Sequence, residues 1–121
     1  MLLTIVGTIG RTCVLQDCDG VFTLQRSVAV IRPTDNINSI FLQHQFIQCR
    51  CELEKEAHGI AQKGIYLKQL AAFHIILPPL SLQQAFAEKV EAIEKQKELI
   101  TASLKEAETL FDARMEYWFG E

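Results

Sequence analysis

Apolar residues recur along the last third of the chain in alternating steps of four and three. The series is Phe86, Val90, Ile93, Lys97, Ile100, Leu104, Ala107, Phe111, Arg114 and Trp118, and eight of these ten positions are apolar. That is the seam of a coiled coil. No Gly or Pro interrupts the chain from Ser81 to Phe119. Pro78 and Pro79 mark the start, because Pro breaks a helix from within and biases the preceding residue to extended form. Ser81 followed by Gln84 matches a capping box. Such a helix is ~57 Å long at 1.5 Å per residue, longer than a domain of ~120 residues is wide. The pattern therefore predicts a rod that pairs with another rod or with a partner protein. Lys97 and Arg114 interrupt the seam, as residues that set register or partner choice do.

Ahead of the rod the pattern shortens. Leu2 to Val6 is apolar and β-branched, a buried strand. Gly7-Thr8-Ile9-Gly10 reads as a turn, Arg11 to Gln16 as a second strand, and Asp17-Cys18-Asp19-Gly20 as another turn. Val21 to Leu24 and Ser27 to Ile31 complete a meander of three or four short strands, ended by Pro33. Asn36 or Asn38 is placed to cap one helix running to about His58. Its apolar face is Leu42, Phe46, Cys49, Leu53 and Ala57, and Gly59 supplies a left-handed stop. Tyr66 to Leu70 predicts one helical turn and Phe73 to Leu77 a buried strand. The expected fold class is α+β: a small, β-rich, mixed or antiparallel globule with one packed helix, over 1–80, then a long coiled-coil-type helix over 81–121.

Charge changes this picture in one respect. The formal net charge is −3, unevenly spread. Residues 1–80 carry seven Lys/Arg against six Asp/Glu, and residues 81–121 carry five against nine. The rod is thus too acidic for a nucleic-acid surface, and only the globule could supply a basic patch. No apolar run is long enough to span a membrane. Met1 to Ile9 reads as a strand rather than a signal peptide. Four cysteines spaced C-x4-C and C-x-C, at 13, 18, 49 and 51, fit neither zinc nor thioredoxin-type patterns. Reduced thiols and a cytoplasmic location are expected, with Cys13 in a strand and Cys49 in the core.

Catalytic signatures are missing: no nucleophile elbow, zinc-protease helix, phosphate loop or dinucleotide fingerprint occurs. His44, His58 and His74 have no Asp or Cys at ligand spacing, and His74 reads as a core or edge residue of its strand. Three loops offer recognition chemistry instead. Gly7-Thr8-Ile9-Gly10-Arg11 sets backbone amides and an arginine at a strand end. Gln25-Arg26 precedes a strand. Gly59-Ile60-Ala61-Gln62-Lys63-Gly64 carries Gln62 and Lys63 at its tip. Gln pairs bidentately with adenine, and Arg or Lys with guanine or phosphate, although each loop taken singly is an ordinary turn.

Four segments in order resemble one family. They are Gly-Thr-Ile-Gly at 7–10, Gln-Arg-Ser-Val-Ala-Val-Ile-Arg-Pro at 25–33, Ala-His-Gly-Ile-Ala-Gln-Lys at 57–63, and Leu-Pro-Pro-Leu-Ser-Leu-Gln-Gln at 77–84. The series is similar to the specificity subunit of type I restriction–modification enzymes, as are Leu-Phe-Asp at 110–112 and Phe-Gly-Glu at 119–121.

The resemblance implies a non-catalytic reader of double-stranded DNA. It implies part of one target-recognition domain plus one spacer helix, without the stretch that usually precedes the Gly-Thr-Ile-Gly strand. Modification subunits would methylate adenine with S-adenosylmethionine and restriction subunits would cleave. This chain itself would need no cofactor, since S-adenosylmethionine, ATP and Mg would belong to its partners. By motif position, Thr8, Arg11, Gln25, Arg26, Gln62 and Lys63 become the candidate DNA-facing set. Phe86, Val90, Ile93, Ile100, Leu104, Phe111 and Trp118 become the helix interface of a homodimer, whose two-fold symmetry would match a palindromic, spaced site. The alternative is a scaffold that assembles subunits through its coiled coil without reading DNA.

Overall fold

Strand β1 (Leu2–Thr4) lies at the centre of a three-stranded sheet of order β2-β1-β3. It pairs antiparallel with β2 (Thr12–Cys13) on one side and with β3 (Val28–Val30) on the other. This is a computed structural model describing residues 1–15, 23–59 and 63–120. The expected meander has the right strands in a different order. β1 buries Leu3, and Ile5 is buried just beyond its end, two residues on, so this apolar segment takes the doubly paired position. The Asp17–Gly20 turn, Cys18 and Val21 lie outside the described residues. Thr23 and Leu24 belong to no strand.

Asn38, rather than Asn36, caps helix α1 (Ser39–Gln48). Its Oδ1 accepts the Ile40 and Phe41 amides at 2.9 and 3.1 Å. The single helix expected here is broken. Cys49, at ψ 9°, closes α1, and its carbonyl takes both the Glu52 and Leu53 amides as α2 (Arg50–Glu56) begins. Helix α2 also ends earlier than His58. Ala57 is extended, and the Glu56 carbonyl is capped by Gln69 Nε2 at 3.0 Å. Gly59 therefore stops no helix. The same Gln69 accepts the Tyr66 amide through Oε1 at 2.9 Å as α3 (Leu67–Ala72) starts. One side chain thus satisfies orphan groups at two helix ends.

The core gathers Leu3, Ile5, Ile9, Ala29, Leu42, Phe46, Leu53 and Ile65, with Phe73 stacked on Phe46 at 6.3 Å. Leu53 is 1% exposed. Leu53→Ala should cost about 2–5 kcal/mol in urea unfolding, whereas Leu67→Ala at an exposed position should stay within about 0.5 kcal/mol. Two expected core elements differ. Phe73 to Leu77 pairs with no strand among the described residues: Phe73 and Ile75 are half-buried, while His74, Ile76 and Leu77 face solvent. Cys13 and Cys51 are exposed. Cys49 is half-buried, and burial followed by the nearby Glu52 carboxylate pushes its thiol above the usual range.

Helix α4 (Leu80–Phe119) runs for 40 residues, ~60 Å. It begins one residue before Ser81, on Pro79, whose carbonyl receives the Leu82 and Gln83 amides. Ser81 therefore sits inside the first turn and is not the cap. The buried polar residue there is Gln83, next to the Gln84 expected to complete a capping box. The chain forms two compact units, Met1–Ala85 and Phe86–Glu121. The fold class is α+β, with a small antiparallel sheet and a long C-terminal helix.

Candidate nucleic-acid interface

Beyond Thr4 the first strand continues as an irregular spine, Ile5-Val6-Gly7, and two loops hydrogen-bond to it. The Ile5 amide donates to the Ser27 carbonyl at 2.8 Å. The Ile65 amide donates to the Ile5 carbonyl at 2.8 Å, and the Gly7 amide donates to the Lys63 carbonyl at 3.1 Å. His58 and Gly64 exchange both backbone hydrogen bonds at 3.0 Å, so residues 58 and 64 form the neck of a closed loop. The Val28 amide donates to the Gln25 carbonyl at 3.1 Å and closes the turn that carries Gln25 and Arg26. Three segments far apart in sequence therefore meet on one rim.

Gln25, Arg26 and Lys63 are all exposed on this rim. Arg26 lines a cavity of about 540 Å³ with Val6, His58, Gly64, Tyr66 and Leu67. It also lines a second depression with Val6, Gln25 and Ser27. Neither is lined by a carboxylate among the described residues. The carboxylates Glu52 and Glu56 line a different cavity, with Lys55 and His74.

Thr8 and Arg11 sit on the neighbouring hairpin between β1 and β2. Gly7 and Gly10 turn it with φ of 79° and 83°, left-handed values that favour glycine. Ile9, 3% exposed, plugs the hairpin into the core. Thr4 ties it shut. Its hydroxyl donates to the Thr8 carbonyl and accepts the Arg11 amide at 3.0 Å, and its own amide donates to the Arg11 carbonyl at 2.9 Å. The Thr8 and Arg11 side chains are both left exposed. Gln62 lies outside the described residues.

A model of the type I restriction modification DNA specificity domain matches residues 1–109. The chain belongs to that family. No curated protein and no solved structure matches it. Membership gives the specificity-domain chain a role in DNA recognition within type I restriction–modification. Among the described residues, no group of three or more His, Cys, Asp or Glu is placed to hold a metal ion. No described helix is long and apolar enough to cross a membrane.

Sequence reasoning missed three residues of this surface. His58 belongs to a motif segment that was noticed, but only its neck position puts it beside Arg26. Tyr66, 70% exposed, precedes a short helix that carried no sign of a surface role. Arg50 lies against the hairpin, which no spacing rule would show. A Cβ on Gly10 would come within 2.7 Å of Arg50 Cγ, so the arginine stem covers that glycine closely.

In the second unit, the seam residues Ile93, Ile100, Leu104, Phe111 and Trp118 are exposed along α4. Phe86 is 38% exposed and Val90 half-buried. Lys97, an interruption in the seam, folds back to Glu94 with Nζ to Oε1 at 2.6 Å. Leu99, Leu110, Met115 and Tyr117 are exposed as well.

Proposed function

We propose that this chain is the DNA-reading subunit, or half-subunit, of a type I restriction–modification system, directing methylation and cleavage by partner subunits. What carries the reading is Arg26, which lines two depressions free of carboxylates among the described residues, with Gln25 beside it and the Lys63 backbone bonded to Gly7. Arg and Lys bind phosphate or guanine, and Gln reads adenine. Thr8 and Arg11 on the hairpin, and Gln62 by its motif position in the sequence, complete the DNA-facing set. The chain needs no cofactor of its own in this reading: S-adenosylmethionine, ATP and Mg serve the modification and restriction subunits. Its place is the cytoplasm, where the DNA is.

Assembly falls to α4. Phe86, Val90, Ile93, Ile100, Leu104, Phe111 and Trp118 form the face on which a second copy pairs. A closed two-fold dimer then presents two readers to a spaced palindrome.

The test combines the full chain with its modification subunit, a random duplex library and S-adenosylmethionine, followed by sequencing of methylated adenines. One spaced motif is expected, and a palindromic one if the copies pair. Methylation without a motif would leave a scaffold that assembles subunits but reads nothing. The double variant Arg26→Ala with Lys63→Ala separates the two readings. For a reader, affinity for duplex DNA at low salt falls ~10–100-fold and the logarithmic salt slope by ~2, with assembly intact. For a scaffold, neither changes.

A further inference from the structure

We propose that Arg50 is a further backbone-phosphate contact of this DNA surface, held in place by the hairpin and restrained by Glu54. The proposal rests on the DNA-reading function above. Arg50 opens α2, and its stem lies over Gly10, where even a methyl group would collide with Cγ. That packing limits the freedom a surface arginine normally loses on binding, so less is lost when its guanidinium meets an anion. Gly10 adjoins Arg11, and the same hairpin reaches Lys63 through Gly7 at its other end. Arg50 thereby adds a basic side chain beside the hairpin that carries Arg11.

Its present partner is weak. Nε meets Glu54 Oε1 at 2.9 Å, with both side chains about half exposed at 47% and 48%. An exposed i,i+4 pair of this kind is easily exchanged. A DNA phosphate offers the guanidinium a fork-matched acceptor in place of the carboxylate. Glu54 then acts as an internal competitor that keeps the arginine aligned in the free protein and weakens indiscriminate binding.

Arg50→Met keeps the stem over Gly10 and removes only the charge. Anisotropy titrations of the full chain against a fluorescent 30-base-pair duplex, repeated across KCl concentrations, measure the effect. Arg50→Met should lower affinity several-fold and reduce the salt slope by ~1. Glu54→Gln should raise affinity several-fold. The double variant should match Arg50→Met, because Glu54 acts only through Arg50. Wild-type affinity and slope in Arg50→Met, while the Arg26/Lys63 variant loses binding, would overturn the Arg50 assignment and leave the DNA reading standing. No binding by the wild-type chain would overturn both.

Discussion

Gln83→Leu should destabilise the protein by about 2–4 kcal/mol in urea unfolding, while Gln84→Leu, one residue on, should change stability by less than about 0.5 kcal/mol. Gln83 is completely buried and every hydrogen bond it makes is to backbone. Oε1 accepts the Asn38 amide at 2.9 Å. Nε2 donates to the Pro78 carbonyl at 2.8 Å and to the Asn36 carbonyl at 3.2 Å. Leucine fills a similar volume and satisfies none of them. An amide and two carbonyls are left without partners away from water, and each such group costs about 1–3 kcal/mol. Asn38 is also the cap of α1, so the loss spreads to the helix that supplies Phe41, Leu42 and Phe46 to the interior. Gln84 is exposed and carries no comparable burden. Equal effects at the two positions would mean that Gln83 does not fasten the start of α4 to the 36–38 loop.

The second large effect is on assembly. The wild-type chain is expected to sediment as a dimer at tens of micromolar, and Leu104→Glu combined with Phe111→Glu as a monomer. Both side chains are largely exposed on α4. Burying each in a paired seam contributes about 1.5–3 kcal/mol, and a two-fold dimer loses every contact twice. Like charges also replace them across the seam. A loss of at least ~4 kcal/mol weakens Kd by roughly a thousandfold. Circular dichroism of the 1–85 elements should persist, because the substitutions lie in the other compact unit. Monomeric wild-type protein at that concentration would sink the homodimer and leave partner subunits as the occupants of the seam.

The two substitutions also mark how far sequence alone reaches. The rod was legible to within one residue of its start, because helix periodicity, the absence of Gly and Pro, and the Pro78-Pro79 boundary are all local signals. The first strand, the Gly7–Gly10 turn, the Val28–Val30 strand and the α1 cap were legible for the same reason. The wrong expectations concern positions where a distant group decides. Gln69 ends α2 from thirteen residues away, where Gly59 had been the expected stop. Ser81 and Gln84 form no capping box at the start of α4; Gln83 is buried there instead, because Asn36 and Asn38 come to meet it. Phe73 to Leu77 reads as a buried strand yet pairs with no strand among the described residues.

The candidate interface follows the same division. Residue type and spacing picked out the Gly7–Arg11, Gln25-Arg26 and Gly59–Gly64 loops as separate weak signals. Their convergence was not encoded in any one of them. It arises because the backbone just beyond β1 hydrogen-bonds to both later loops, through Ser27, Lys63 and Ile65. By itself the sequence determined the elements whose causes are local: periodicity, turn chemistry and helix boundaries. Only the tertiary structure decided strand order, the true helix ends and the meeting of Arg26, His58 and Tyr66 at one cavity. Each of those depends on backbone groups finding partners dozens of residues away, and a linear pattern carries no record of which partner wins.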